Sequence, residues 1–509
     1  MKTVCGIDLG TQSCKVVIYD GEKKAILARS QTPVDLIAEN DGTREQKAEW
    51  YDSALKTCFD KLDAELKKTI AAIGVSGHQH SLVPLDQDGK PLYNVKLWCD
   101  TTTAPECTEL TKAASSNLAR DGLTTMSFDK GEAALIAETG LPMRPGYTAP
   151  KIQWLKNHKP EIFSRLRHIL LPHDYLNFLL TGQYTAEAGD ASGTALFDVR
   201  KRTWAENVCA LIDPSIIDFL PRIVEPGCPA GYVSTWAAEL YGIPEGAIVA
   251  SGGGDNMMGA IGTGAVKDGF LTMSLGTSGT LFGFSSVPVI DPKGDLASFC
   301  SSSGGWLPLL CTMNCTVASE EFRGLFGLDV KVFDALAAES PIGAGGVVVL
   351  PFFNGERTPN LPNGRASLNG LTAANFTREN IARASLESAI FGMRIGMEGF
   401  NELGFEAKEI RLIGGGAKSK LWQIIAANIM NLPIRVPSNE EAAAMGGAIQ
   451  ALWTLEKEKS KGKTIVEVCE EYITMEGKSV MPDPSAVSAY DKAYADYSKY
   501  VNALKGLYK

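Results

Sequence analysis

Two stretches of the chain show the same order of apolar and polar residues. Residues 4–20, VCGIDLGTQSCKVVIYD, predict a β-hairpin with the loop Gly-Thr-Gln-Ser. Residues 271–285, LTMSLGTSGTLFGFS, repeat the pattern with Leu-Gly-Thr at the corresponding place. One position differs in kind, because Asp8 of the first stretch corresponds to Ser274 of the second. The pattern therefore predicts two similar strand-turn-strand units, only one of which carries a carboxylate.

The remaining sequence alternates short apolar runs with helical spacing. The predicted elements of the first half are a helix at about 45–64, a strand-turn-strand at 69–86, a strand with a polar loop at 96–102, helices over 150–184 broken at Pro160 and Pro172, and a strand, triple-glycine turn and helix start at 247–266. Those of the second half are a helix at about 377–403, a strand, GGG turn, amphipathic helix, short strand and second helix over 409–453, and helical spacing from about Pro484. The second helix of 409–453 contains EEAAAMGGAIQALW, whose small residues predict close helix packing. Strands that alternate with helices predict an α/β protein.

Length and composition limit the function classes. At 509 residues the chain predicts two domains, which we place at 1–251 and 252–509, with the C-terminal helix packing back on the first. A net charge of −10 argues against a nucleic-acid partner. The start lacks the apolar core of a signal peptide, and no apolar run is long enough to span a membrane. The 11 cysteines contain no CxxC, which indicates reduced thiols and a cytoplasmic protein.

Glycine-rich turns between strands present backbone N–H groups that suit phosphate oxygens. Either Leu-Gly-Thr turn alone favours a simple tight hairpin, whereas two copies in matching context favour a clamp for a polyphosphate. Mg²⁺ accompanies nucleotide phosphates and needs only one or two carboxylates, a role that Asp8 fits. The alternative for Asp8 is a carboxylate that caps its turn.

Two further positions carry candidate chemistry. Asp255 follows three glycines and begins a predicted helix, whose N–H groups would keep its carboxylate ionised and able to accept a proton. An N-cap aspartate is the equally open alternative. His80 lies with His78 in a turn after a buried strand, and a turn histidine without a visible metal partner is structural more often than it is a ligand.

The ordered set of motifs resembles the FGGY carbohydrate kinases of the actin-like ATPase superfamily, most closely the xylulokinase members. The similarity covers nearly the whole chain. It is carried by GIDLGTQSCKVVIYD, SGHQHS, LPHDYLNFLLTGQYTAEAGDASGTALFDVRKRTW, GGGDN, SLGTSGTL, NGERTPN and GGGAKSKLW. The resemblance implies a two-domain ribonuclease H/actin-like fold in which Mg-ATP and a sugar meet in an interdomain catalytic cleft.

The resemblance also implies roles for individual residues. Asp255 would be the catalytic base, and Asp8 would bind the metal. Sugar contacts would come from Gln79, His80, Trp98, Asp100 and Asn256, although Trp98 equally suits a core. The residues expected to hold ATP are Gly10, Thr11, Gly276, Thr277 and Ser278 at the phosphates, and Gly415, Gly416 and Ala417 near the adenosine.

The implied reaction is ATP-dependent phosphorylation of a pentulose, D-xylulose to D-xylulose 5-phosphate. Where many relatives have Trp-Asn-Asp-Gly-Arg, this chain has Trp98-Cys99-Asp100-Thr101-Thr102, so the arginine is missing and the ketose stays open. Alternatives are a kinase for ribulose, fuculose or glycerol, a mechanical actin- or Hsp70-like ATPase, and a sugar-binding regulator. The sequence leaves the oligomeric state open, with a homodimer as one alternative.

Overall fold

The structure is a computed structural model that describes residues 3–118, 130–458 and 462–508. Its strands are β1 Thr3–Leu9, β2 Ser13–Asp20, β3 Ala25–Pro33, β4 Ile37–Ala38, β5 Arg44–Gln46, β6 Ala72–Gly77, β7 Val83–Leu85, β8 Val95–Lys96, β9 His168–Leu170, β10 Thr185–Glu187, β11 Phe197–Asp198, β12 Thr203–Trp204, β13 Arg222–Val224, β14 Pro229–Tyr232, β15 Ile248–Ala250, β16 Gly253–Gly254, β17 Phe270–Leu275, β18 Gly279–Gly283, β19 Ala297–Cys300, β20 Trp306–Thr312, β21 Val348–Leu350, β22 Ser367–Asn369, β23 Glu409–Ile413, β24 Ile434–Pro437 and β25 Met475–Val480.

The α-helices are α1 Ala48–Asp60, α2 Ala64–Lys67, α3 Ala104–Asn117, α4 Lys130–Thr139, α5 Thr148–His158, α6 Pro160–Phe163, α7 Pro172–Thr181, α8 Ala188–Ser192, α9 Glu206–Ile212, α10 Ile216–Phe219, α11 Thr235–Tyr241, α12 Asp255–Thr263, α13 Val317–Phe326, α14 Val330–Glu339, α15 Arg378–Glu402, α16 Lys420–Met430, α17 Ala442–Glu458, α18 Ile465–Tyr472 and α19 Pro484–Leu504. Short 3₁₀ helices lie at Ala344–Gly346, Gly415–Lys418 and Lys505–Tyr508. No helix within the described residues is long and apolar enough to cross a bilayer.

The chain divides into two compact units. The first unit comprises Met1–Val266, Ser285–Leu307 and Glu441–Ile473, and the second comprises Lys267–Phe284, Pro308–Glu440 and Thr474–Lys509. The predicted division at 251/252 and the predicted packing of the C-terminal helix on the first half stay predictions. Within the second unit, α19 packs its tyrosines around Phe391 of α15.

The central sheet of the first unit has the order β14-β15-β6-β1-β2-β3, with β16 also paired to β6. The first three strands form an antiparallel meander, and β6 and β15 follow in parallel to β1. The apolar residues of β1, β2 and β6 are buried, as expected for a central sheet covered by helices. The ends of β1 and β6 therefore meet at one edge, where the first turn and the histidine turn begin.

The sheet of the second unit repeats this arrangement. The strands that belong to the second unit follow the order β20-β18-β17-β23-β24-β25, again an antiparallel meander followed by two parallel strands, with β25 antiparallel to β24. The two predicted hairpins thus occupy equivalent places, β1–β2 in one sheet and β17–β18 in the other. The prediction of two similar strand-turn-strand units is confirmed.

One predicted helix is partly wrong. Between the breaks at Pro160 and Pro172 the chain forms strand β9, which pairs antiparallel with β7. The run His168–Leu170 is too short for the helical pattern to be distinguished from a strand, and only the distant partner β7 decides between them.

The small residues of α17 allow it to pack directly on strands and on a helix of the first unit. A Cβ on Gly6 would lie 1.9 Å from the carbonyl oxygen of Ala444, and a Cβ on Gly446 would lie 1.9 Å from that of Met258. The predicted close packing of this helix is confirmed. This packing holds α12, which begins with Asp255, against the sheet.

Candidate active site

The first glycine turn joins β1 to β2 and contacts one residue of the predicted sugar site. Its backbone closes through the Gly10 N–H, which donates to the Ser13 carbonyl at 3.0 Å. The Thr11 hydroxyl accepts a hydrogen bond from the indole nitrogen of Trp98 at 3.0 Å. The structure therefore brings a residue predicted to bind phosphate into contact with a residue predicted to bind the sugar.

Asp8 lies at the end of β1, partly buried, and its Oδ1 accepts a hydrogen bond from the Ser76 hydroxyl at 2.9 Å. Burial raises its pKa to about 6, although Ser76 and Lys15 oppose the shift. Glu441 raises the pKa further. An ionised Asp8 is thus costly in the protein alone, and a bound cation would relieve that cost.

These surroundings fit Mg²⁺. Within the described part of the chain, no group of three or more acidic, histidine or cysteine side chains is arranged as a metal cage. Mg²⁺ does not need one, because it keeps several waters and binds through one or two carboxylates together with phosphates. Asp8 supplies such a carboxylate, and it lies near enough to Asp255 for its charge to raise the pKa of that residue.

Asp255 is the first residue of α12 and follows Gly254, the N-cap position, so the alternative of an N-cap aspartate does not hold. Its Oδ1 accepts hydrogen bonds from the backbone N–H of Asn256 at 2.8 Å and from Asn256 Nδ2 at 3.1 Å. Burial raises the pKa of Asp255 to about 7, and the carboxylates of Asp8 and Asp190 raise it further than the N–H groups lower it. The expected lowering of this pKa by the helix N–H groups is present but is outweighed by burial and like charge.

The histidine turn begins where β6 ends. The His78 N–H donates to the Leu9 carbonyl at 2.9 Å, which connects this turn to the first glycine turn. The His78 ring is buried between Ser81 and Tyr51, and burial lowers its pKa to about 3. His78 is therefore a neutral structural histidine.

Gln79 and His80 differ from His78 in orientation and contacts. The Gln79 Oε1 accepts a hydrogen bond from Asn256 Nδ2 at 2.8 Å, so these two predicted sugar contacts lie together with Asp255. His80 has a φ of 66°, a left-handed conformation that costs energy for a non-glycine residue. Its ring packs against Tyr147 and Phe299, with ring centroids 5.1 and 5.5 Å away.

Asp100 is fully buried, and the protein satisfies its carboxylate. One oxygen accepts hydrogen bonds from the backbone N–H of Arg44 at 2.8 Å and from the Lys96 ammonium at 3.1 Å. The other accepts from the backbone and hydroxyl of Thr102, at 3.0 and 2.6 Å. The geometry favours a role for Asp100 in bracing its loop over the predicted sugar contact, and Thr102 is part of that brace.

The second glycine turn lies in the second unit, between β17 and β18. The carbonyls of Gly276 and Thr277 accept hydrogen bonds from the backbone N–H groups of Thr316 and Cys315, at 3.0 and 2.9 Å. Thr277 is exposed, and its neighbours Gly276 and Ser278 are partly exposed. The backbone of the turn is therefore held by hydrogen bonds from Cys315 and Thr316, while its tip is exposed.

The GGGA turn follows β23 in the same unit and lies against the second glycine turn. A Cβ on Gly414, which has a φ of 87°, would be 2.7 Å from the Leu275 carbonyl oxygen. Gly416 and Ala417 are buried, and a Cβ on Gly416 would meet Leu275 and Trp422 at 2.8 Å. Gly415 is exposed, and a Cβ there would meet nothing within 4 Å. Of the three predicted adenosine contacts, only Gly415 has an open side.

Sequence reasoning missed three buried polar residues beside the site. Lys151 donates to the His80 carbonyl at 2.7 Å and the Gly146 carbonyl at 2.6 Å, and burial lowers its pKa to about 7. His173 and Asp190 form an ion pair with 2.6 Å between Nδ1 and Oδ2. A signal was present for His173 and Asp190, which interrupt apolar or small-residue stretches of the quoted segment LPHDYLNFLLTGQYTAEAGDASGTALFDVRKRTW, but it does not say which partners they contact.

Comparison with known proteins gives a consistent result. Residues 3–262 match the N-terminal domain, and residues 271–455 the C-terminal domain, of the FGGY family of carbohydrate kinases. A xylulose kinase of Haemophilus influenzae is 41% identical over 98% of this chain and 99% of its own length. One of Bacillus subtilis is 31% identical over 100% of this chain and 98% of its own length.

Solved structures agree with the fold. A crystal structure of a xyloylose kinase from Brucella ovis is 29% identical, has a TM-score of 0.89 and covers 99% of this chain and 100% of its own. The predicted two-domain α/β fold of the ribonuclease H/actin-like ATPase type is thereby confirmed. The enzyme is an ATP-dependent sugar kinase that uses Mg²⁺ with its nucleotide, and the chain belongs to the FGGY family of carbohydrate kinases.

Proposed function

We propose that this kinase transfers the γ-phosphoryl group of ATP to D-xylulose and forms D-xylulose 5-phosphate. The observation that carries the substrate is the 41% identity, over almost the full length of both chains, to a protein named xylulose kinase. Four further relatives of that name, 31–34% identical, cover 88–100% of this chain. A difference in substrate would have to arise within a site of similar construction.

Asp255 is the proposed proton acceptor. Phosphoryl transfer needs positioning, charge neutralisation and an acceptor for the proton of the attacking hydroxyl. A carboxylate with a pKa of about 7 is well matched to this task, because it is substantially ionised at neutral pH and still basic enough to take the proton. Its Oδ1 is occupied by two hydrogen bonds from Asn256, which leaves Oδ2 to receive the proton.

Gln79, His80, Asn256 and Trp98 are the proposed sugar contacts. Gln79 and Asn256 are hydrogen-bonded to each other beside Asp255, and Trp98 is held by Thr11. The His80 carbonyl is fixed by Thr148 and Lys151, at 2.9 and 2.7 Å, so the strained turn has one defined conformation. Polar groups fixed in this way discriminate strongly against an analogue that lacks the matching hydroxyl.

We propose that the nucleotide phosphates contact Gly10 and Thr11 of the first turn, and Gly276, Thr277 and Ser278 of the second. The adenosine would lie at Gly415, with Gly416 and Ala417 shaping the turn from inside. Asp8 would hold the metal, directly or through water. Bound Mg²⁺ neutralises charge on the phosphate oxygens during transfer.

A coupled assay of ADP release over D-xylulose, D-ribulose, L-fuculose, glycerol and a no-sugar control tests the proposal. We expect the highest kcat/KM with D-xylulose. A higher kcat/KM with another acceptor would replace the substrate and keep the kinase, and the missing arginine at Thr102 makes this the second candidate. Equal rates with and without every sugar would instead support a mechanical ATPase.

We further propose that the protein is cytoplasmic. Support comes from its use of ATP and from its 11 cysteines, none of which forms a disulfide in the described structure. Activity in the soluble fraction of gently lysed cells is the expected result. Sedimentation of the same preparation decides between a monomer and a homodimer.

A further inference from the structure

A buried ion pair lies beside the proposed sugar contacts, and neither of its residues is among the proposed catalytic or sugar-binding groups. His173, near the start of α7, and Asp190, in α8, have no exposed surface. Their side chains approach to 2.6 Å, and His173 Nε2 lies 3.0 Å from Asp174 Oδ1. Burial opposes the charge on His173, but the two carboxylates outweigh it and hold its pKa well above the usual value. A buried ion pair is weak evidence for stability, since apolar residues of similar size often stabilise as well.

Asp190 extends this pair towards the sugar contacts. Burial raises the pKa of its carboxyl, and the interaction with the Gln79 amide is among those that lower it. Gln79 Nε2 and Asp190 Oδ1 are both buried, and neither forms a hydrogen bond of good geometry within the described structure. A carboxylate attracts an amide nitrogen and repels an amide oxygen, so the charge on Asp190 directs Nε2 of Gln79 towards itself.

The orientation of Gln79 then determines that of Asn256. With Nε2 towards Asp190, the Gln79 Oε1 faces Asn256 and accepts a hydrogen bond from its Nδ2 at 2.8 Å. The same Nδ2 lies 3.1 Å from Asp255 Oδ1. If Gln79 were reversed, two amide nitrogens would face each other, and a reversed Asn256 would place its oxygen against the Asp255 carboxylate.

The backbone packing leaves this arrangement little freedom. A Cβ on Gly254 would lie 2.6 Å from Gln79 Cγ, and one on Gly252 would lie 2.8 Å from His173 Cδ2. The loop that precedes Asp255 therefore lies directly against both Gln79 and His173. Asn177 of α7 also donates to the Ser251 carbonyl at 2.9 Å, which ties the same loop to the helix of His173.

We propose that His173 and Asp190 are positioning residues of the phosphorylation site: they fix the orientation of the Gln79 amide and, through Asn256, select the oxygen that Asp255 presents to the acceptor hydroxyl. The inference rests on the proposed role of Asp255 as proton acceptor. It assigns a use to a buried charge pair that stability alone does not explain.

The central variant is Asp190→Asn, which keeps the shape but replaces the charge by an amide that no longer favours one orientation of Gln79. We expect kcat to fall about 30-fold and the KM for the best sugar of the acceptor panel to rise, with the KM for ATP changed less than about 2-fold. His173→Phe keeps a ring without a donor and should behave in the same way. His173→Asn retains a donor near the position of Nδ1 and should recover kcat to within about 5-fold of wild type.

Glu387→Gln is the matched control. Glu387 forms a buried ion pair with Arg383 at 2.7 Å, in the second unit, so this variant also removes the charge of a buried, paired carboxylate. We expect its melting temperature to fall while kcat stays at the wild-type value. If Glu387→Gln loses as much kcat as Asp190→Asn, the effect is general destabilisation and the inference is overturned.

The remaining outcomes are also decisive. Wild-type kcat and sugar KM in Asp190→Asn would overturn the inference, and if that variant does not fold, equal kcat in His173→Asn and His173→Phe would do so. Asp255→Asn separates this result from the proposed function. Wild-type turnover in Asp255→Asn refutes the role of Asp255, whereas an inactive Asp255→Asn beside a normal Asp190→Asn refutes only the positioning role.

Discussion

Replacing Asp255 with asparagine should stabilise the first unit while it removes phosphoryl transfer. The change keeps the size of the side chain and removes both its charge and its ability to accept a proton. General bases contribute about 10²- to 10⁴-fold, so kcat should fall at least about 100-fold. Nucleotide affinity should change little, because the proposed contacts of Asp255 are with the sugar.

The stabilisation follows from the raised pKa. The folded protein holds the Asp255 proton with a pKa of about 7, against 3.8 for an unperturbed aspartate. Between these values the folded state binds more protons than the unfolded chain, so the free energy of unfolding of the wild type falls as pH rises. At 1.36 kcal/mol per pKa unit the full cost above pH 7 is about 4 kcal/mol, an upper limit because buried asparagine also loses hydration.

Thermal unfolding at pH 5 and pH 8, in EDTA and without nucleotide, measures this cost. Part of it is already present at pH 5, so the advantage of Asp255→Asn over wild type should be about 3 kcal/mol larger at pH 8. That difference corresponds to about 6 °C in Tm for a unit of this size.

Asp86→Asn provides a control of opposite sign. Backbone N–H groups, above all that of Lys90, lower the pKa of Asp86, so its ionised form stabilises the fold above pH 4 and the variant should lose stability there. An equal gain in stability of Asp255→Asn at both pH values, or lower stability of this variant than wild type at pH 8, would contradict the raised pKa of Asp255.

Three further predictions concern the separate parts of the site. His80→Ala should raise the sugar KM at least about 10-fold and the ATP KM much less, and initial rates with each substrate varied would expose the opposite pattern. Gly415→Ala should fold with an unchanged Tm, since its Cβ meets nothing within 4 Å, and it should raise the KM for ATP. Gly416→Ala should instead lower Tm, because its Cβ would meet Leu275 and Trp422. An unchanged ATP KM in Gly415→Ala would place the adenosine elsewhere. Asp8→Asn should raise the Mg²⁺ concentration for half-maximal velocity about 10-fold or more while the sugar KM stays nearly constant, and an unaltered Mg²⁺ titration would remove Asp8 from the metal site.

Much of the fold could be predicted because the signals are local. The hairpin β1–β2, its repeat β17–β18 and the long helix α15 follow from apolar periodicity and from turns rich in glycine. The exception was β9, whose three residues become a strand only because β7 lies beside them. A short apolar run carries no information about a partner 83 to 87 residues away in the chain.

The sequence alone shows which residue types stand in the glycine turns, and it thereby identifies the family and the candidate base, metal carboxylate and sugar contacts. Tertiary structure decided what those residues can do. In the folded protein both oxygens of Asp100 accept hydrogen bonds from protein donors. Gly416 is buried, whereas Gly415 is exposed. The tertiary structure also surrounded Asp255 with carboxylates and placed the pair His173–Asp190 beside Gln79. Motifs encode chemistry, but hydrogen-bond capacity and pKa depend on burial and on neighbours that only the folded chain brings together.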